Sequence, residues 1–246
     1  MKKYLFLIVL ASLLAGCESK FDAETITVAA PPDSPPFSFK MEDELCGVEI
    51  DLIREIARDT GTKLVILEMP FGELLESVRS GKADLAVGTI SITEERKKFI
   101  AFSDSFYKTG NVITSPLARP VTSADELQGK RVGVTEGGRA VDIIKQFGGT
   151  PVEYSNSWAI AEDVAAGKLD CALNDGPSAR SYAMGKDELA ITSPFISEDN
   201  YGMACGKDKK ALLKEVNKTI KRLKISGELR DKIDYWTRLT DKQLKH

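Results

Sequence analysis

A ten-residue pattern occurs twice in this chain and constrains the fold more than any other feature. The copies are SGKADLAVGT at residues 80–89 and AGKLDCALND at residues 166–175. In each copy an amphipathic helix ends at a glycine and precedes a short apolar strand that finishes in small polar residues. The repeat predicts two similar lobes. A helix that ends in Gly-Lys before a strand is also common, so coincidence remains the alternative explanation.

The order of the predicted elements indicates an α/β fold with two lobes. Beginning with a strand at residues 25–30, the order β-α-β-α-β is typical of a parallel sheet covered by helices, and it restarts after a loop at residues 116–120. We expect each lobe to be a mostly parallel sheet flanked by helices. Lobe 1 comprises residues 25–107 and 202–240, and lobe 2, residues 108–201, is inserted within it. Two chain segments then cross between the lobes and form a two-stranded hinge.

Local signals locate individual elements. The amphipathic stretch 48–60, followed by Gly61, predicts a helix with a glycine at its end. Residues 123–126 have the form of a capping box and predict a second helix start. The proline-rich residues 31–36 predict a loop.

The amino terminus predicts export and lipid attachment. Residues 1–3 are basic at two positions, and the apolar run 4–14 is too short for a comfortable membrane span. Residues 14–17 resemble the lipobox of bacterial lipoproteins. We therefore expect a signal peptide at residues 1–16, lipid on Cys17 and a short tether at residues 17–24. The protein would be anchored to a membrane, in the periplasm or at the cell surface.

Composition argues against several classes of function. The 34 basic and 37 acidic residues give a net charge of -3, and the basic residues form no cluster, so we expect no nucleic-acid partner. Lipidation of Cys17 leaves Cys46, Cys171 and Cys205, an odd number, so at least one thiol stays free. With His246 as the single histidine, we expect no metal and no other cofactor.

Polar residues at the ends of the repeated strands predict a shared cleft, because open parallel sheets bind ligands beyond the carboxyl ends of their strands. These residues are Gly88 and Thr89 in the first copy, and Asn174 and Asp175 in the second. Asp175 is suited to hold an ammonium group. Its alternative role is to cap the helix that follows.

Arg96 is the strongest candidate for binding an anion. If Thr93 caps the helix there, the arginine occupies the first turn, where the helix dipole disfavours a cation. A carboxylate ligand would explain it, held by the guanidinium and by donors from Thr89 and Ser91. A salt bridge to Glu94, to Glu95 or to a neighbouring loop is the alternative.

The second lobe offers weaker candidates. Gly137 and Gly138 lie between a predicted strand and a helix at residues 139–147, so their amides are expected to be unpaired and to point into the cleft. Arg139 is again a cation in a first turn, with a solvated surface arginine as the alternative. Phe71, at the start of a helix, is suited either to the cleft wall or to the core.

The chain resembles the periplasmic amino-acid-binding proteins of ABC importers, which are polar amino-acid receptors with the type II two-lobe fold. The resemblance covers nearly all of the mature chain. It is carried by residues 35–39, 47–51, 88–96, 102–104 and 107–110.

The resemblance implies roles for individual residues. Arg96, with Gly88, Thr89 and Ser91, would grip the α-carboxylate of the ligand, and Asp175 would hold its α-amino group. Two positions depart from the family pattern. A Gly-Thr-Thr-like turn is replaced by residues 137–139, and Ser34 stands where a tyrosine or phenylalanine is usual.

The resemblance also implies partners. We expect a monomeric receptor that captures a small polar or acidic amino acid and delivers it to an ABC permease in the inner membrane. One alternative is a cyclohexadienyl (arogenate or prephenate) dehydratase, an enzyme branch with a similar fold. That branch has a general-acid glutamate at the position of Ser178, and serine cannot act as that acid near neutral pH. A sensor for a signalling partner is the other alternative.

Overall fold

The computed structural model describes residues 21–238. The predicted signal peptide, Cys17 and residues 17–20 of the predicted tether lie outside this range. The described strands are β1 (Thr25–Ala30), β2 (Asp33–Ser34), β3 (Ser38–Met41), β4 (Glu44–Cys46), β5 (Lys63–Glu68), β6 (Leu85–Ala86), β7 (Ala101–Phe102), β8 (Tyr107–Thr109), β9 (Asn111–Pro116), β10 (Arg131–Thr135), β11 (Thr150–Tyr154), β12 (Cys171–Asp175), β13 (Leu189–Ile191), β14 (Asp199–Tyr201) and β15 (Ala204–Cys205). The α-helices are α1 (Val48–Thr60), α2 (Phe71–Arg79), α3 (Glu94–Lys97), α4 (Ala140–Gln146), α5 (Trp158–Ala165), α6 (Gly176–Ala183), α7 (Lys210–Ser226) and α8 (Glu228–Thr237), and a 3-10 helix spans Ala124–Leu127.

Two five-stranded sheets share one topology. The first has the order β5-β1-β6-β15-β7 and the second the order β11-β10-β12-β9-β13. In each sheet four strands run in one direction, and a single strand, β15 or β9, is antiparallel to both of its neighbours. The predicted fold class, two α/β lobes with mostly parallel sheets, is confirmed.

The sequence repeat has a structural counterpart in these sheets. The strands in its two copies, β6 and β12, occupy the central position of their respective sheets. Each follows a helix, α2 or α5, that packs on the sheet. Alternating side chains of the strands enter apolar clusters on opposite faces: Val28 and Ala29 of β1, for example, belong to different clusters.

Two short strands, β8 and β14, flank the second sheet in the sequence. Strand β8 pairs antiparallel with β14, so Tyr107 faces Tyr201 across the ladder. Phe37 packs edge-on against both tyrosines, with ring centroids 5.1 and 5.6 Å away. The second sheet is formed by the chain between these strands. The residue limits assigned to the lobes stay a prediction, and residues 239–240 lie outside the described range.

Two local predictions about helix ends have different outcomes. Helix α1 spans the predicted residues, and Gly61 follows it in the left-handed conformation, with φ 72°. At residues 123–126 the prediction of a capping box is wrong. Ser123 makes no side-chain cap, and Glu126 instead accepts hydrogen bonds from the amide and hydroxyl of Thr122.

The predicted loop at residues 31–36 requires a similar correction. It contains β2, which forms a three-stranded sheet with β3 and β4. The partner strand β3 follows in sequence, and its Phe39 pairs with Asp33. Phe37 and Phe39 are both buried in the core.

Three of the cysteines lie within the described residues. Cys46, Cys171 and Cys205 are all free and buried, as the odd count requires for at least one of them. Burial raises the pKa of the Cys46 and Cys205 thiols to about 11. Within residues 21–238 no cluster of potential metal ligands is present. No helix in the same range has the length and apolar character to cross a membrane.

Candidate functional site

The two sheets enclose a cavity that collects most of the predicted site residues. Its walls are formed by residues from both sheets, from the turns at their strand ends and from β14. The lining residues are Ser34, Phe71, Thr89, Ser91, Arg96, Asn111, Val134, Thr135, Gly138, Arg139, Ala140, Leu173, Asn174, Asp175, Ser178, Tyr182 and Tyr201. Seven of the eight predicted ligand-binding residues are among them. Gly88, the eighth, lies one residue away from the wall.

Arg96 is a buried cation that forms no salt bridge with any described residue. Arg96 is 9% exposed. Its backbone amide donates to the hydroxyl of Thr93, the predicted helix cap, at 3.2 Å. The guanidinium donates to the carbonyl of Ser91 at 2.9 Å and to that of Gly137, from the second sheet's side, at 3.2 Å. Desolvation lowers the pKa of the guanidinium.

The alternative partners of Arg96 are engaged elsewhere. Glu94 forms a salt bridge with Lys97 at 2.7 Å, and Glu95 forms one with Lys98 at 2.6 Å. No salt bridge to Arg96 occurs within residues 21–238. The buried guanidinium therefore retains capacity for a carboxylate in the cavity.

The turn at Gly88 and Thr89 is supported from behind by a buried acid. Thr89 has a φ of 58°, in the left-handed region, and its amide donates to Glu49 at 3.0 Å. The other carboxyl oxygen of Glu49 is buried without a hydrogen-bond partner. Burial raises the pKa of Glu49 to about 7, although the amides of Gly88 and Thr89 oppose the shift. The Thr89 amide is thus used within its own lobe.

The glycine turn of the second sheet does not present free amides, contrary to the sequence expectation. The Gly137 amide donates to Glu153 at 3.3 Å, and the Gly138 amide donates to the carbonyl of Thr135 at 3.1 Å. The tight turn after β10 directs both N–H groups back into the lobe. Gly138 still lines the cavity, and the carbonyl of Gly137 accepts from Arg96.

Arg139 lies at the cavity in an ion pair. Its guanidinium contacts the carboxylate of Asp199, which also accepts from Asn111 at 3.0 Å and from Ser197 at 2.7 Å. The side chain of Arg139 is 35% exposed, whereas that of Asp199 is 2% exposed. The solvated alternative does not describe Arg139, because an acid 60 residues away in sequence pairs with it. The predicted role of Arg139 in ligand binding stays a prediction.

Asp175 caps a helix and also lies at the cavity. One carboxylate oxygen caps α6 by accepting from the Ser178 amide at 3.0 Å, and the residue also lines the cavity. Burial raises the pKa of the carboxyl to about 6, although hydrogen bonds from Ser178 and Tyr201 oppose the shift. No salt bridge to Asp175 occurs in the described part of the chain. The carboxylate can therefore accept from a ligand ammonium group.

Phe71 belongs both to the cavity wall and to the apolar core. The residue is 8% exposed, begins α2 and packs with the apolar cluster behind the cleft while lining the cavity. Residues that sequence reasoning missed include Asn111, Tyr182 and Tyr201. The local sequence around these three residues does not indicate a site, because each residue reaches the cavity through strand pairing or helix packing.

Asp33 connects the two sides of the cleft. Its carboxylate accepts from the amide of Ser157, at the start of α5, at 2.6 Å. Its carbonyl accepts from the hydroxyl of Tyr182, on α6, at 2.9 Å. Together with the contact between Arg96 and Gly137, these hydrogen bonds hold the lobes closed over the cavity.

A family model matches nearly all of the described chain. The profile described as "Bacterial extracellular solute-binding proteins, family 3" matches residues 26–238. The chain belongs to this family. An arginine-binding extracellular protein of Bacillus subtilis is similar to this solute-binding protein, with 26% identity over 93% of this chain and 95% of the relative.

Solved structures of substrate-binding proteins are similar to the solute-binding protein over most of its length. An amino acid ABC transporter substrate-binding protein from Streptococcus pneumoniae, bound to L-arginine, has a TM-score of 0.82 and 31% identity, covering 87% of this chain and 95% of its own. An ancestral arginine-binding protein bound to glutamine has a TM-score of 0.83 and 29% identity, covering 88% and 99%.

Proposed function

We propose that this solute-binding protein captures a small polar or acidic amino acid between its lobes and delivers it to an ABC permease in the inner membrane. Lipid on Cys17 would retain the monomeric receptor at a membrane, in the periplasm or at the cell surface. The observation that carries the proposal is the buried Arg96 guanidinium, which has no acidic partner within the described residues and lies on the same cavity as Asp175.

Recognition would rest on charge complementarity at both ends of a zwitterion. The guanidinium of Arg96 binds the α-carboxylate, with the Ser91 hydroxyl as a further donor, and Asp175 accepts from the α-ammonium group. Closure of the lobes removes water from the cleft, so each ion pair is stronger than it would be in solvent. The ligand is then enclosed until the permease opens the lobes.

The relatives support an amino-acid ligand. The protein from Streptococcus pneumoniae is bound to L-arginine, and the ancestral protein is bound to glutamine. Both are similar to this chain along nearly its whole described length. Their ligands share an α-carboxylate and an α-ammonium group, which are the groups that Arg96 and Asp175 are placed to bind.

The proposal is tested by ligand identification followed by substitution. Native mass spectrometry of the freshly purified protein identifies a co-purified amino acid, and titration calorimetry gives its affinity. Arg96→Ala should weaken binding by about 2–5 kcal/mol, or roughly 30-fold to several thousand-fold, because the ligand carboxylate is buried without its partner. The affinity of Arg96→Lys should lie between those of Arg96→Ala and the unaltered protein, since lysine keeps the charge but not the paired donors.

Arg79→Ala is the matched control, because this arginine lies at the end of α2 and pairs with Glu76 on the surface. Its affinity should equal that of the unaltered protein. Binding of the amino acid by Arg96→Ala within a few-fold of the unaltered protein would remove the basis for the proposed site.

A further inference from the structure

The charged groups around the cavity are balanced. Two cations, Arg96 and Arg139, and one acid, Asp175, line it. Asp199 pairs with Arg139, and its negative charge also acts on Arg96 and Asp175. Two positive and two negative charges therefore meet at the cavity. A zwitterionic amino acid adds one of each and preserves the balance.

No acid is available for a cationic ligand side chain. Asp199 is occupied by Arg139, Asn111 and Ser197. Asp175, which already caps α6, has its remaining capacity taken by the ligand ammonium group. No other carboxylate in the part of the chain described here lines the cavity.

Neighbouring acids outside the cavity wall are committed to amides. Glu49 accepts from Thr89, and burial raises its pKa toward neutrality. Asp33 accepts from Ser157.

An anionic side chain lacks a partner for the corresponding reason. Arg139 is paired with Asp199, and Arg96 is used by the α-carboxylate. A third ligand charge of either sign would be desolvated on closure without compensation, which is costly in a buried site.

The uncharged part of the wall favours a compact polar side chain. Small polar residues contribute to it, among them Ser34, Thr135, Asn174 and Ser178. The cavity volume is about 60 Å³. This is room for only a few water-sized groups, since one water occupies about 10–15 Å³ on this measure.

We propose that the cavity selects small amino acids with uncharged side chains and discriminates against cationic and anionic ones. The inference rests on the proposed function and narrows its substrate class. It separates this chain from similar proteins whose ligand is arginine.

Titration calorimetry on the full mature protein, freed of co-purified ligand, tests the selection directly. The neutral set is L-alanine, L-serine, L-threonine and L-asparagine, and the charged set is L-arginine, L-lysine, L-aspartate and L-glutamate. At least one neutral amino acid should bind 100-fold more tightly than every charged one. Tightest binding of L-aspartate or L-glutamate would overturn the inference and leave the proposed function standing. Tightest binding of L-arginine or L-lysine would overturn the inference and the proposed ligand class, and would leave capture of an amino acid between the lobes standing. Absence of binding by all twenty common amino acids would overturn both.

Substitution of Arg139 tests the charge balance itself. Arg139→Gln leaves Asp199 without its cation, so the affinity for L-lysine relative to the best neutral ligand should rise at least tenfold. Arg180→Gln removes the same charge from an exposed position on α6 outside the cavity, and its selectivity should be unchanged. Unaltered selectivity in a folded Arg139→Gln protein would overturn the inference.

If the Arg139→Gln variant does not fold, Asp199→Asn is the second test. Asp199→Asn should shift selectivity toward L-glutamate, and the absence of a shift would overturn the inference.

Discussion

The carboxyl of Asp175 is buried at the cavity, and burial changes the pH at which it ionises. The pKa of Asp175 is raised to about 6 by burial, and the negative charge of Asp199 contributes to the shift. Hydrogen bonds from Ser178 and Tyr201 oppose it. The carboxyl therefore takes up a proton in a mildly acidic solution, whereas an exposed aspartate would remain ionised.

This titration predicts that amino-acid affinity falls as pH drops through about 6. A ligand ammonium group needs the ionised form of Asp175, and only about a tenth of the free protein has that form at pH 5. Binding measured by calorimetry should be roughly tenfold weaker at pH 5 than at pH 7.

Circular dichroism at both pH values is the control for an intact fold. Asp175→Asn lacks the titrating group, so its weaker binding should be independent of pH over this interval. An affinity for the unaltered protein that stays flat from pH 7 to pH 5 would show that Asp175 does not hold the ammonium group.

At the residue scale, the sequence marks Arg96 through a local conflict, because a cation in a first helical turn is unfavourable. The structure buries Arg96 at the cavity, and its role in ligand binding stays a prediction. The pairing of Arg139 with Asp199 had no such signal, since a surface arginine and a buried, paired arginine have the same local sequence.

At the scale of elements, the turn after β6 shows how closely the chain is packed near the cavity. Gly88 has a φ of 133°, and a Cβ atom there would lie 2.6 Å from Cδ of Pro31. Only glycine suits this position, because a side chain would meet both backbone strain and a rigid ring.

Gly88→Ala should therefore destabilise the fold by about 3 kcal/mol, the sum of strain and overpacking. Gly81→Ala is the matched control in the same repeat. Its φ is 77°, but no atom lies within 4 Å of the added Cβ, so strain alone should cost about 1–2 kcal/mol. Urea unfolding monitored by circular dichroism measures both free energies, and equal losses would contradict the packing argument.

A helix marked by both an amphipathic face and a terminal glycine can be predicted from sequence, whereas a strand that depends on a pairing partner cannot. Helix α1 has an amphipathic face and a terminal glycine, which together define its limits. Strand β2 contains two residues in a proline-rich segment, and it exists because β3 pairs with it.

The whole molecule is held closed by contacts between its lobes. The carboxylate of Asp33 accepts from the amide of Ser157, 124 residues away in sequence. This places a negative charge at the start of α5, where the helix dipole favours it. Separation of the lobes would break this hydrogen bond, so we expect it to contribute to the free energy of closure.

Asp33→Ala should shift the ligand-free protein toward open forms. The loss of a helix-terminus contact of about 1–2 kcal/mol should weaken amino-acid binding by roughly 5- to 30-fold. Small-angle X-ray scattering should show a larger radius of gyration without ligand. Asp104→Ala, an exposed aspartate on the surface of the molecule, is the control and should alter neither quantity. Unchanged scattering and affinity for Asp33→Ala would mean that the contact does not govern closure.

The sequence by itself determined the two-lobe α/β plan, because helix periodicity, terminal glycines and short apolar strands are local properties that the repeat states twice. It also identified Thr89 and Asp175 at strand ends, and Arg96 in the first turn of a helix, as candidate site residues. Only the tertiary structure decided which charges are free at the cavity. Arg139 is neutralised by Asp199, the Gly138 amide is satisfied by Thr135, and Asp33 bridges the cleft. These outcomes depend on distances between segments far apart in the chain, which no local pattern records.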